Sequence, residues 1–135
     1  MKTPARVDTN VLLRHLLNDD PHQSPKARAL IQAAHSGQYS FDVTAVTIAE
    51  IFYALRVKSA LDRPQIAAVL QTVLSDEAFD LEDEERIFEA LERVKARNVD
   101  FADAYIAAAC VLDDRPVFSF DKDFNRFADV KRGKL

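Results

Sequence analysis

Four carboxylates stand out along this chain by their surroundings: Asp8, Glu50, Asp103 and Asp121. Glu50 is the only charged residue between Val43 and Leu55, in Val-Thr-Ala-Val-Thr-Ile-Ala-Glu-Ile-Phe-Tyr-Ala-Leu. Asp103 stands likewise in Phe-Ala-Asp-Ala-Tyr-Ile-Ala-Ala-Ala-Cys-Val-Leu, from Phe101 to Leu112. Asp8 closes Ala5-Arg-Val-Asp, and Asp121 follows Val117-Phe-Ser-Phe. A lone carboxylate beside apolar packing is costly unless something pairs with it or neutralises it. One site shared by all four would meet that need, and its natural partner is a divalent cation.

Each acid also has a plainer explanation. Asp8 and Asp121 can each cap a helix. Asp103 suits the third position of a helix that Asp100 would cap. Glu50 can lie on an exposed face of small residues. Glu50 and Asp103 resist these explanations most, because nothing near them in sequence compensates their charge.

The elements that must position these acids alternate between strand and helix. Residues 4–8 read as a short strand and Asn10 to Asn18 as a helix broken by Asp19-Asp20-Pro21. A second helix runs from about Ser24 to Ser36, with Ala27, Leu30, Ile31 and Ala34 on one face and Gly37 at its end. Tyr39 to Val43 is a second strand. Thr44 or Thr47 starts the next helix, reaching about Ser59, with Ile48, Ile51, Phe52 and Leu55 on one face and Glu50 roughly opposite. Arg63-Pro64 opens another helix. Ala78 to Leu81 is a third short strand, and the acidic run Glu82 to Glu85 favours the start of a helix ending near Asn98. Asp100 to about Leu112 is a helix, Pro116 to Phe120 a fourth strand, and Asp121 to Phe127 a short helix. Val130 begins a last edge strand. The pattern implies a single α/β domain over residues 1–135, an α/β/α sandwich with a mainly parallel sheet of about four to five strands. In such sheets, sites form outside the carboxyl ends of the strands.

Composition narrows the chemistry. At 135 residues and 48% hydrophobic, the chain is long and apolar enough for a globular core. A net charge of −4 provides no general attraction to nucleic acid or anionic membrane. The two glycines, Gly37 and Gly133, exclude a Walker loop and a dinucleotide fingerprint. The single Cys110 excludes an internal disulfide and a cysteine-based zinc site, and its apolar neighbours suit a buried thiol. The N-terminal segment lacks the apolar core of a signal peptide, and no run suffices to span a membrane. A cytoplasmic protein is the expectation. Acids without a histidine cluster suit Mg2+ or Mn2+ better than zinc, since His15, His22 and His35 lie away from the acid motifs.

Four segments in register resemble the PIN-domain ribonucleases and, within them, the VapC-type toxins. They are Val7-Asp-Thr-Asn-Val-Leu-Leu13, Thr47-Ile-Ala-Glu-Ile-Phe-Tyr-Ala-Leu55, Asp100-Phe-Ala-Asp-Ala-Tyr-Ile-Ala107 and Val117-Phe-Ser-Phe-Asp-Lys-Asp-Phe124. Ser119 stands where the family usually has Thr. The resemblance covers essentially the whole chain. It implies that Asp8, Glu50, Asp103 and Asp121 bind the metal and carry catalysis, with Thr9, Asn10 and Ser119 supporting them. Asp123 is an ambiguous additional acid, which a solvated place in the short helix also explains. The expected activity is Mg2+- or Mn2+-dependent endoribonuclease cleavage, the expected role that of a toxin silenced by a small antitoxin, and the expected assembly a homodimer. Lys122 and Arg126 are the preferred RNA contacts, because they directly follow Asp121.

Two other readings compete. A haloacid-dehalogenase-type phosphatase would use Asp8 as nucleophile, but Asp8-Thr9-Asn10 lacks the second acid and no later Gly-Asp motif follows. A non-catalytic RNA-binding module with the same fold would have little use for the full acid set.

Overall fold

The computed structural model describes residues 1–135, which divide into two compact units. The first holds residues 1–61 and 72–83, the second residues 62–71 and 84–135.

The first unit is built on a parallel sheet of β1 (Thr3–Arg6), β2 (Tyr39–Val43) and β3 (Phe79–Leu81), in that order. Register places Ala5 beside Phe41 and Phe41 beside Phe79, an apolar row on one face. The next row is Arg6, Asp42 and Asp80, so the other face is polar. Three helices accompany the sheet: α1 (Thr9–Leu17), α2 (Gln23–His35) and α3 (Ala45–Lys58). The ends of α1 and α3 fall on recognisable residues. Asp8 caps α1, Asn18 ends it in the left-handed region, and the Thr44 hydroxyl accepts from the Thr47 N–H at the head of α3. α3 buries Ile48, Ile51, Phe52 and Leu55, the stripe that helical spacing predicts.

The second unit is helical. It contains most of α4 (Arg63–Leu74), together with α5 (Glu84–Arg97), α6 (Phe101–Leu112) and a 3-10 turn at Lys122–Arg126. α5 lays Ile87, Ala90, Leu91 and Val94 into the interior, while α6 contributes Phe101, Ala104, Ala107 and Ala108. The alanines let α5 and α6 pack closely. Arg93 is the charged residue drawn into this interior. Its guanidinium grips both oxygens of Asp129, at 2.9 and 2.5 Å, and lies 5.5 Å from the Phe127 ring centroid.

The strand count departs from the sequence expectation. The sheet has three strands, not four to five. Pro116–Phe120 and the segment from Val130 share one parallel bridge, Val117 with Arg132, and form no ladder. Local bonds compete for the backbone on either side. The Asp121 N–H goes to Ser119 Oγ and the Asp123 N–H to Asp121 Oδ1, which turns the chain into the 3-10 helix at once. The Val130 N–H is taken by the Phe127 carbonyl.

Candidate metal centre

Asp103, Asp121 and Asp123 converge within the second unit. One carboxylate oxygen from each lies within 4.8 Å of the others. Local structure explains how they meet. Asp103 stands in the first turn of α6, and Asp121 heads the 3-10 turn that contains Asp123. Asp121 fixes the geometry of its own loop: its backbone donates to Ser119 Oγ at 2.9 Å, and its Oδ1 accepts from the Asp123 N–H at 2.8 Å.

Crowding has an electrostatic consequence. Burial pushes the half-buried Asp103 carboxyl above the usual carboxylate range, and the charges of Asp121, Asp123 and Asp100 push the same way. Arg63 opposes the shift. That arginine is itself engaged, donating from Nε to Asp100 at 2.9 Å. Asp100 therefore occupies the cap position of α6 without capping it through its side chain.

The donor set fits a hard divalent cation. Carboxylate oxygens sharing one Mg2+ at about 2.1 Å are separated by roughly 3 to 4 Å, which three groups within 4.8 Å reach with small adjustment. A cation would also offset both the desolvation and the like charge that raise Asp103. No histidine or cysteine joins the cluster, so its donors are all hard carboxylate oxygens.

The first unit holds the other predicted acids. Asp8 caps α1 by accepting from the Asn10 N–H at 3.3 Å, the plainer role considered for it. Glu50 accepts from the Thr9 hydroxyl at 3.1 Å, so Thr9 ties the start of α1 to α3. Glu50 is exposed, which corrects the expectation of a carboxylate kept beside apolar packing. Its apolar helix neighbours are themselves exposed: Val46, Tyr53 and Val57 retain 69%, 72% and 65% of their accessible surface. The apolar residues around Glu50 in sequence thus form a surface stripe, with the buried stripe on the opposite side. Asn10 is exposed and lines a groove with Arg14, Gln23 and Lys26.

Of the two predicted RNA contacts, Lys122 is exposed. Arg126 is partly committed elsewhere, donating to the carbonyls of Arg97 and Asn98 at 3.4 and 3.3 Å, where it closes the end of α5. Two residues near the cluster escaped sequence reasoning. Arg63 lies thirty-seven positions before its partner Asp100. Arg132 lies in the basic stretch Lys131-Arg-Gly-Lys134, and its Nη2 donates to the Ser119 carbonyl at 2.6 Å. No local pattern marks either.

A model of the PIN domain matches residues 6–130 of this chain. The chain belongs to the PIN-domain family, whose members are generally metal-dependent nucleases. No curated protein matches it significantly. No helix is long and apolar enough to cross a membrane.

Proposed function

We propose that this protein is a Mg2+- or Mn2+-dependent endoribonuclease acting as the toxin of a toxin–antitoxin pair. The observation that supports the nuclease most is the Asp103–Asp121–Asp123 cluster, with the Asp103 carboxyl raised by burial and by its acidic neighbours. When bound, the cation supplies Lewis acidity toward water and phosphate. The chain's own part is to hold that cation and place the phosphodiester against it. Asp103, Asp121 and Asp123 provide the anionic ligands. Ser119 and the Asp123 N–H fix the rotamer and backbone of Asp121. Asp8 and Glu50 are assigned to the same reaction by the order of their motifs, Glu50 being oriented by Thr9. Lys122 is the preferred phosphate contact because it is exposed directly after Asp121.

The toxin role, a cytoplasmic location, a small antitoxin and a homodimer rest on the resemblance to VapC-type toxins. The exposed Val46–Tyr53–Val57 stripe supports an assembling protein, since apolar surface of that kind is commonly covered by a partner. An antitoxin arginine would be a fitting inhibitor, because it pairs with the carboxylates that hold the cation.

Cleavage mapping on total RNA tests the reading. Wild type is expected to cut at defined positions with Mn2+ and not with chelator, and Asp103→Asn to cut at none of them. Cleavage that survives chelation, or that persists in Asp103→Asn, would sink it. Co-purification of a small protein encoded beside this one tests the toxin role separately.

A further inference from the structure

We propose that Arg132 is a positioning residue that sets the cation affinity of Asp121 and Asp123; the inference rests on reading the acid cluster as a metal centre. Its guanidinium donates from Nη2 to the Ser119 carbonyl at 2.6 Å and from Nη1 to Asn125 Oδ1 at 2.7 Å. Those two acceptors bracket the segment that carries Asp121 and Asp123. Within the bracket, the Asp121 N–H donates to Ser119 Oγ and the Asp123 N–H to Asp121 Oδ1. Arg132 thus fixes the residue that fixes Asp121.

The tail is anchored well enough to serve as a fixed support. The Val117 N–H donates to the Lys131 carbonyl and the Gly133 N–H to the Val117 carbonyl, each at 2.8 Å. The Phe118 ring lies directly on Gly133, leaving no room there for a Cβ. Arg132 is half-buried between these contacts, whereas the neighbouring Lys131 side chain is 80% exposed. Arginine suits the task, because its rigid fork serves two acceptors in a fixed geometry, while lysine presents a single mobile ammonium.

The sign of the effect separates positioning from simple charge. Removing a positive charge bonded to the loop that carries two of the acids should, if anything, tighten Mn2+ binding by Coulomb's law alone. Removing a support that orients metal ligands should weaken it, typically tenfold or more. Arg132→Gln is therefore expected to weaken Mn2+ binding about tenfold, measured as free Mn2+ by EPR titration. Lys131→Gln removes the same charge without touching the clamp, and is expected to leave binding unchanged or slightly tighter. Arg132→Lys should fall between Arg132→Gln and wild type. Asn125→Ala deletes one acceptor from an exposed position and should weaken binding by a smaller factor, which keeps the test open if Arg132→Gln does not fold. A wild type that binds Mn2+ beside an Arg132→Gln that binds it equally or more tightly overturns the positioning role alone. Unchanged binding by both Arg132→Lys and Asn125→Ala does the same. A wild type that binds no Mn2+ overturns the metal reading and this role together.

Discussion

Glu50 and Asp103 share a sequence context, a lone acid inside an apolar helix, and meet different surroundings. Glu50 is exposed, and its bonding partner is one hydroxyl, that of Thr9 at 3.1 Å. Asp103 is half-buried with two further carboxylates inside 4.8 Å, and its proton affinity rises accordingly. An apolar sequence neighbourhood therefore says little about whether a carboxylate is desolvated. On α3 the apolar residues divide between a buried stripe and an exposed one, and Glu50 belongs with the exposed one. On α6 desolvation comes with like charge delivered by a distant loop. Water already compensates Glu50, whereas Asp103 is the acid for which a cation changes most.

The largest effect should follow from removing the crowded acid. Asp103→Asn is expected to lower Mn2+-dependent cleavage more than about 100-fold, since it deletes a ligand outright where even supporting residues cost 10- to 100-fold. Without metal the same variant should melt no lower than wild type and slightly higher, because it removes repulsion with Asp121, Asp123 and Asp100. A clear drop in apo melting temperature would show that Asp103 has a structural task instead, and would erase the contrast with Glu50.

Glu50→Gln should cost less, roughly 10- to 100-fold in cleavage, with a stability change within about 0.5 kcal/mol because the site is exposed. Thr9→Val probes the same carboxylate through its one bond, and about a tenfold loss is expected. Unchanged cleavage in both would leave Glu50 as a surface acid and confine the chemistry to the second unit.

Arg93 extends the comparison to a cation. It is 9% exposed, held by Asp129 and stacked near Phe127. Arg93→Ala should destabilise by roughly 2–3 kcal/mol through lost packing and bonding, read by urea denaturation. Mn2+ affinity should stay near wild type, since Arg93 touches none of the clustered acids. A parallel loss of affinity would couple the α5 clamp to the metal centre.

These contrasts also show what local sequence can carry. The span of α3 follows from Thr44 as cap and from apolar residues spaced three and four apart, and the side Glu50 takes follows from the same geometry. Its exposure does not follow, because Val46, Tyr53 and Val57 carry no local mark of being outside. The acids on the 3-10 turn were legible as a motif. Their meeting with Asp103 depends on a chain reversal that no short window contains. Val-Phe-Ser-Phe has strong strand character and predicts a fourth strand that does not form. What stops it is side-chain bonding by Ser119 and Asp121 one residue later. Arg132 carries no local mark beyond its charge, because its acceptors, a carbonyl and an amide oxygen, have no sequence signature.

The smallest effect concerns pH, where Asp129 and Asp103 should act with opposite sign. Bonding to Arg93 holds the Asp129 carboxyl below its ordinary value of 3.8. Its contribution to stability is therefore complete above that value and is lost as pH falls through the lower folded-state pKa. Asp103 is displaced upward from 3.8, so in the metal-free protein its penalty is complete at neutral pH. That penalty is relieved as pH falls through the raised pKa toward 3.8. Asp129→Asn should accordingly flatten the loss of stability at the acid end. Asp103→Asn should remove a small gain that begins at higher pH. Denaturant midpoints from pH 7 down to about 2 would resolve the two, and Mn2+ should suppress only the Asp103 component by keeping that carboxylate ionised. A pH profile identical in Asp103→Asn and wild type would mean that the crowding of the acids carries no free energy in solution.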